Sequence, residues 1–324
     1  MMNASVPHPM VYEKRRWPII DALRGVAIIS MVAFHATWDL YFFGYSTLDV
    51  TQDPRGRWAS HLIAGTFLTL VGIGLVLSVR GGFDARAFLV RLAKIAGGAA
   101  IVSIGTFYAM PDEWIFFGIL HAIALFSLLA LPLVMLPIGF IYPVAFAILL
   151  VLALASRISL DAPWLLWLGL SQHIPRTNDY VPFFPWFGVV VAGVYIGRLA
   201  LMSENIRAFC AKPLPQVAKP LQWLGRWSLV LYLVHQPILF GAFYGLDALR
   251  GEAADQRRAK QDFTAVCVAS CRNTANAALC ETTCACIADK IGAELTKLDG
   301  MGQDAALGRI RNASAVCQAQ PKAP

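Results

Sequence analysis

Residues 17–40 read WPIIDALRGVAIISMVAFHATWDL, an apolar run that carries Asp21, Arg24, His35 and Asp39. A helix of ~20 residues crosses a bilayer, and an ionisable side chain within one is costly enough that it usually has a partner or a task. Arg24 and His35 are eleven residues apart. At 100° per residue this returns to within about 20° of the same face, about 16 Å further along the axis. Asp21 precedes Arg24 by three residues and Asp39 follows His35 by four, spacings that also share a helix face. One stripe therefore reads Asp, Arg, His, Asp along the span.

The rest of the chain agrees with a membrane setting. Of its 324 residues, 57% are hydrophobic and 15% charged, against about 25% charged in ordinary soluble domains. The net charge of +7 is no nucleic-acid signature, because the cations sit in loops on one side. The first apolar run is long, contains Arg24 and lacks a small-residue cleavage site, so no cleavable signal peptide is expected. The expected fold is all-α: a polytopic bundle of about seven transmembrane helices followed by a small Cys-rich helical tail.

Residues 1–16 are polar and end in Glu13-Lys14-Arg15-Arg16, which reads as a cytoplasmic tail. Further spans are expected at His61–Val79, Ala93–Met110, Ile115–Leu136, a fifth ending near Ser156, a sixth opening at Phe183, and Trp227–Leu246. Arg80, Arg86, Arg91 and Lys94 read as one loop, and WLLWLGL within 157–182 as an interfacial piece too short to cross. The domain scheme is 1–16, a membrane domain over 17–246, and a tail over 251–324. With the N-terminus inside, inner segments carry eleven Lys and Arg against four outside, which orients the chain by the positive-inside rule. Seven spans then leave the tail outside the cytoplasm.

Six of the seven cysteines lie in that tail. Cys267 and Cys271 share a helical face, as do Cys280 and Cys284, so a hairpin bridged 267–284 and 271–280 is the simplest arrangement, although six cysteines allow fifteen pairings. Zinc is the alternative, but the tail has no histidine and an oxidising outside favours disulfides. No metal is expected. Cys210 stands alone on the inner side, and Asn312-Ala313-Ser314 fits a glycosylation sequon.

Among the candidates for chemistry, His35 is the side chain suited to take a proton near neutral pH, and Asp39 is the nearby carboxylate able to orient it and stabilise its charged form. No serine or cysteine is evidently placed beside it as a nucleophile, so direct activation of an acceptor hydroxyl or amine is the simpler route, with a histidine acyl carrier as the other. Arg24 is either a snorkelling, Asp21-paired arginine or an anion-binding group. His235, followed by Gln236 and Pro237, is either a site residue or a helix–helix hydrogen bonder. His121 is either a substrate contact or a satisfied core group. Asn178 and Asp179 lie in TNDYVPFFPWFG (177–188), which reads as a substrate mouth or as a rigid turn. His61 opens a span, and His8 and His173 lie in loops.

These residues carry a resemblance. Asp21-Ala22-Leu23-Arg24-Gly25 followed by His35 resembles the opening signature of integral-membrane acyltransferases. FLTLVGIG (67–74), FGILHAIA (117–124), NDYVPFFPWFG (178–188), and LGRWS (224–228) through His235-Gln236-Pro237 are similar to the bacterial branch near heparan-α-glucosaminide N-acetyltransferase. The resemblance covers about residues 16–246. It implies transfer of an acyl group, often acetyl, from cytoplasmic acyl-CoA to a glycan or lipid-linked sugar across a bacterial inner membrane. His35 would be catalytic, assisted by Asp39; Arg24 would hold the CoA; His121, Asn178, Asp179 and His235 would meet the substrate. Expected partners are acyl-CoA (acetyl-CoA foremost), the acceptor, membrane lipids and a second copy of the chain, with no nucleic acid. Two other classes stand beside this one: a proton-coupled transporter using Arg24, His35 and His235, and a sensor read by the tail.

Overall fold

The computed structural model describes residues 17–157, 159–173, 175–249, 252–271, 277–300 and 303–319. The expected tail at 1–16, with His8, lies outside these. Among the described residues the structure is all helix and loop, with a single isolated bridge between Phe117 and Tyr180. Five helices are long and apolar enough to cross a membrane: α1 (Pro18–Phe42), α2 (Pro54–Val79), α3 (Ala85–Ala109), α6 (Phe183–Met202) and α9 (Ser228–Ala248). Two shorter apolar helices, α4 (Ile119–Met135) and α5 (Ile141–Leu154), bring the apolar elements to seven. The short polar helices α7 (Glu204–Ala211) and α8 (Lys219–Arg226) lie between α6 and α9, and α10 (Glu252–Cys271), α11 (Ala277–Ile291) and α12 (Gln303–Ala319) form the tail.

Several helices begin before their apolar runs do. Asp53 caps α2, accepting from the Arg55 and Gly56 amides at 2.8 and 3.2 Å, with Pro54 preset for the first turn. Asp84 caps α3 through the Ala87 amide at 3.0 Å. Arg86, Arg91 and Lys94 therefore lie inside α3 rather than in a loop. The fourth span starts later than Ile115, because residues 115–118 are extended: the Val181 amide donates to the Phe117 carbonyl at 3.1 Å.

The described residues divide into two compact units, one drawn from 17–31 with 58–234 and the other from 32–57 with 235–319; the boundary falls inside α1, α2 and α9. In the first unit, Leu68, Leu75, Phe126, Phe187, Val190 and Val194 anchor one core around α2, α4 and α6. Glycines allow two backbone-close crossings of the kind favoured between membrane helices. A Cβ on Gly72 of α2 would lie 2.3 Å from the Val190 carbonyl oxygen, and one on Gly193 of α6 would lie 2.3 Å from that of Thr69. Between α1 and α8 the approach is tighter, with a Gly25 Cβ 2.0 Å from the Leu221 oxygen and a Gly225 Cβ 1.7 Å from the Asp21 oxygen. Helix α4 carries a counter-charge at each end. Asp179 accepts from the Ile119 amide at its N-terminus at 2.8 Å, and Arg198 donates to the Leu133 carbonyl at 3.1 Å and to that of Leu136 at its C-terminus. Both charges complement the helix dipole.

In the second unit, the rings of Phe42 and Phe43 pack on Phe240 at 5.3 and 4.9 Å, joining the end of α1 to α9. The tail is closed by disulfides Cys267–Cys284 and Cys271–Cys280, the two expected pairs, and by a third, Cys286–Cys317. It docks through α10. The Arg257 guanidinium lies 3.5 Å from the buried Asp247 carboxylate and 5.1 Å above the Tyr45 ring, while Gln261 Nε2 donates to the Ser46 carbonyl at 3.2 Å.

Candidate active site

In the second unit, α1 and α9 bring two histidines together. The His35 and His235 rings lie 5.0 Å apart between centroids, tilted by 57°. Phe34 packs edge-on against His35 at 5.8 Å. One turn beyond His35, Asp39 is fully buried, and its Oδ1 accepts from Gln236 Nε2 at 2.8 Å. The Asp39 hydrogen bond thus goes to α9, to the residue beside His235, rather than to His35. Asp39 Oδ2 and Gln236 Oε1 are both buried, and neither makes a hydrogen bond among the described residues. Two histidines, a carboxylate and an amide therefore share one place on two facing helices. The pattern in the sequence marks His35, Asp39 and His235; Gln236 stands out only once its amide is seen on Asp39.

In the first unit, Arg24 sits one turn into α1, with Nη1 3.2 Å from Asp21 Oδ1. The other Asp21 oxygen faces Arg226 Nε of α8 at 3.6 Å. The guanidinium of Arg24 approaches α2 closely, where a Cβ on Gly74 would come within 2.7 Å of Nη2. Arg91 of α3 is close enough for its charge and that of Arg24 to repel. Asp21 is thus shared by two arginines in an environment with a third nearby, an excess of positive charge suited to a polyanion. In the sequence Arg91 reads as a loop cation, and Arg226 figures only within the LGRWS motif (224–228).

The remaining candidates gather at the opposite end of α3 and α4, within the first unit. His121 has both ring nitrogens engaged. Nδ1 accepts from the Gly118 amide at 3.2 Å, which leaves Nε2 protonated to donate to Ser103 Oγ at 3.1 Å; Ser103 in turn donates to the Ile115 carbonyl at 2.6 Å. Asp179, besides capping α4, accepts from the Tyr232 hydroxyl at 3.4 Å. Burial raises its pKa, and the Ile119 amide and Tyr232 hydroxyl pull it partly back. A Cβ on Gly118 would collide with the Asp179 carboxylate at 2.3 Å, so this glycine is what lets the carboxylate reach the helix end. Asn178 donates from its side chain to Met110 Sδ at 3.1 Å and from its amide to the Glu113 carbonyl at 3.1 Å. These three residues tie the 177–182 segment to the α3–α4 connection. His61, in the second turn of α2, packs on Trp186 with centroids 5.6 Å apart.

The segment that carries Arg24, His35, Asp179 and His235 falls within a match to a known family. The family model described as heparan-alpha-glucosaminide N-acetyltransferase, catalytic, matches residues 16–237. No curated protein and no solved structure matches the chain. The match takes in well over half of the sequence and includes every candidate residue named above, with the Cys-rich tail beyond it; the chain belongs to the heparan-alpha-glucosaminide N-acetyltransferase catalytic-domain family.

Proposed function

We propose that this protein is an integral membrane acyltransferase that moves an acetyl group from cytoplasmic acetyl-CoA to a sugar, glycan or lipid-linked sugar on the other side of the membrane. The observation that carries this is the His35–His235 pair, on helices α1 and α9, inside a family-matched segment. Neutral imidazole is a competent base for a hydroxyl or amine proton. His35 takes the acceptor proton as the acceptor attacks the thioester carbonyl carbon. The carbon–sulfur bond breaks, and the thiolate leaves as CoA once it is protonated. His35 as a transient acyl carrier is the two-step version of the same transfer. Asp39, one turn away on α1, favours a positive charge on His35 through space. Arg24, with Arg91 close by, supplies the charge that binds the CoA phosphates. Along one continuous helix, Arg24 and His35 are separated by about 16 Å, a distance an extended pantetheine arm bridges. His121, Asn178 and Asp179 contact substrate in the first unit, and His235 faces the acceptor beside His35 in the second.

The setting we propose is the bacterial inner membrane, crossed many times, with residues 1–16 cytoplasmic, 17–246 catalytic and 251–324 periplasmic. The grouping of cations in alternate connections and in the helix ends beside them and three disulfides in the tail, which persist in oxidising compartments, both support that orientation. The test is CoA release from acetyl-CoA by purified protein in vesicles, with a periplasmic glycan fraction as acceptor, wild type against His35→Ala. Turnover that vanishes in the variant supports transfer. Solute flux without acyl turnover would put the transporter in its place.

A further inference from the structure

Resting on the acyltransfer reading above, we infer that Asp39 and Gln236 together form an acceptor anchor, a pair of hydrogen-bond-accepting atoms that holds an N–H or O–H group of the incoming acceptor beside His35 and His235. The argument starts from what is buried. Asp39 is a fully buried carboxylate, and one such group without adequate donors is strongly unfavourable. The only hydrogen bond it accepts among the described residues comes from Gln236 Nε2, at 2.8 Å to Oδ1. That bond fixes the amide, since its nitrogen must face Asp39 and its oxygen must face away. Two acceptor atoms remain, Asp39 Oδ2 and Gln236 Oε1, both buried and both without a hydrogen bond among the described residues. With Asp39 ionised, both atoms accept, and the group that satisfies them is a donor.

The position of the pair says which donor. Gln236 directly follows His235 on α9, and Asp39 lies one turn from His35 on α1, where the two histidine rings are 5.0 Å apart. A donor held here lies one residue from His235 on α9 and one turn from His35 on α1. An amine acceptor has a proton to give His35 during attack and another to leave on the anchor. A hydroxyl has one proton, which goes to His35, so a sugar attacking through oxygen would use a neighbouring hydroxyl on the anchor. In either case the atoms balance: one acceptor proton moves to the imidazole, one carbon–sulfur bond breaks and one bond from carbon to the acceptor atom forms, while the anchored proton stays where it is. The anchor thus binds and orients, and neither of its acceptor atoms takes the transferred proton.

The experiment compares wild type with Gln236→Met, which preserves side-chain length and removes both the donor and the acceptor. Glucosamine and glucose serve as acceptors in parallel arms, at saturating acetyl-CoA, with the dissociation constant for acetyl-CoA measured separately. The anchor predicts a rise of tenfold or more in the KM for whichever sugar is used, with acetyl-CoA affinity within twofold of wild type. A drop in kcat at unchanged KM, or an equal loss of acetyl-CoA affinity, overturns the anchor while leaving acyl transfer standing. Wild type that neither binds nor turns over acetyl-CoA removes the acyltransfer reading, and the anchor with it. Asp39→Asn gives the second variant: its oxygen keeps the bond from Gln236 Nε2 while its NH2 replaces Oδ2, turning one anchor acceptor into a donor, so the KM for the sugar should still rise at unchanged acetyl-CoA affinity, whereas a purely structural role would be rescued by the isosteric amide.

Discussion

The imidazole rings of His35 and His235, 200 residues apart in the chain, lie 5.0 Å apart. If they act on one acceptor, their contributions are coupled, because residues that function as a unit are strongly non-additive. His35→Ala should lower acetyl-CoA turnover about a hundredfold or more, the usual worth of a general base. His235→Ala should lower it less, and the double variant should be no slower than His35→Ala. Additive losses in CoA-release assays would mean that the two rings serve separate tasks.

Through stability, Asp179 tests the end of the first unit where α3 and α4 join. Asp179→Ala leaves the Ile119 amide without its buried acceptor, which costs about 1–3 kcal/mol. Asp179→Asn keeps an oxygen for that amide and should be close to neutral. Because burial raises the folded-state pKa of Asp179, its contribution is fully present below the unfolded carboxylate value of about 3.9. It is lost as pH rises through the higher folded value. The stability of Asp179→Asn relative to wild type should therefore improve with rising pH. Thermal unfolding in detergent at acidic and neutral pH reads this directly, and a pH-independent difference would contradict it.

The crossing of α1 and α8 gives a sharper steric test. Gly225→Ala places a methyl group 1.7 Å from the Asp21 carbonyl oxygen, and Gly25→Ala places one 2.0 Å from that of Leu221. Both contacts are to backbone, so a side-chain shift cannot relieve them. Either variant should separate the two helices and with them the Asp21–Arg226 ion pair, and lose monodispersity on size exclusion. Gly97→Ala, with nothing within 4 Å, is the matched control and should behave as wild type, or be slightly more stable given the helix preference of alanine.

Much of this arrangement is legible in the chain. Seven apolar runs become seven apolar helices because burial or lipid exposure of a 20-residue apolar stretch leaves the backbone few other solutions. The pairs Cys267–Cys284 and Cys271–Cys280 follow from two matching helical faces. Helix starts were less visible: α2 and α3 begin with turns rich in arginine, which dilute hydropathy, and their true markers are the capping residues Asp53 and Asp84. Least visible were contacts between distant segments. The Cys286–Cys317 bridge closes 31 residues between two helices, and the Gln236 bond to Asp39 closes 197. No local spacing encodes either. Asp179 reads as a mouth residue in the sequence, and only the fold reveals that it also caps α4.

The tail provides the last test. Arg257 of α10 faces the buried Asp247 carboxylate at 3.5 Å and covers the Tyr45 ring, and the Tyr45 hydroxyl also donates to Asp247 at 3.4 Å. Arg257→Ala keeps all three disulfides but leaves Asp247 with a weaker set of partners, a loss of roughly 1 kcal/mol or more for a partly exposed pair. The stapled helices should then stay folded internally while detaching more readily from the ends of α1 and α9. Limited proteolysis of intact vesicles should cut Arg257→Ala faster than wild type between α9 and α10, and yield a soluble, disulfide-bonded fragment. Reduction with an impermeant phosphine should act differently, opening the tail itself, so that cleavage spreads across α11 and α12. Equal digestion of Arg257→Ala and wild type would show that docking does not depend on this ion pair, and would leave the aromatic contacts and Gln261 as its basis.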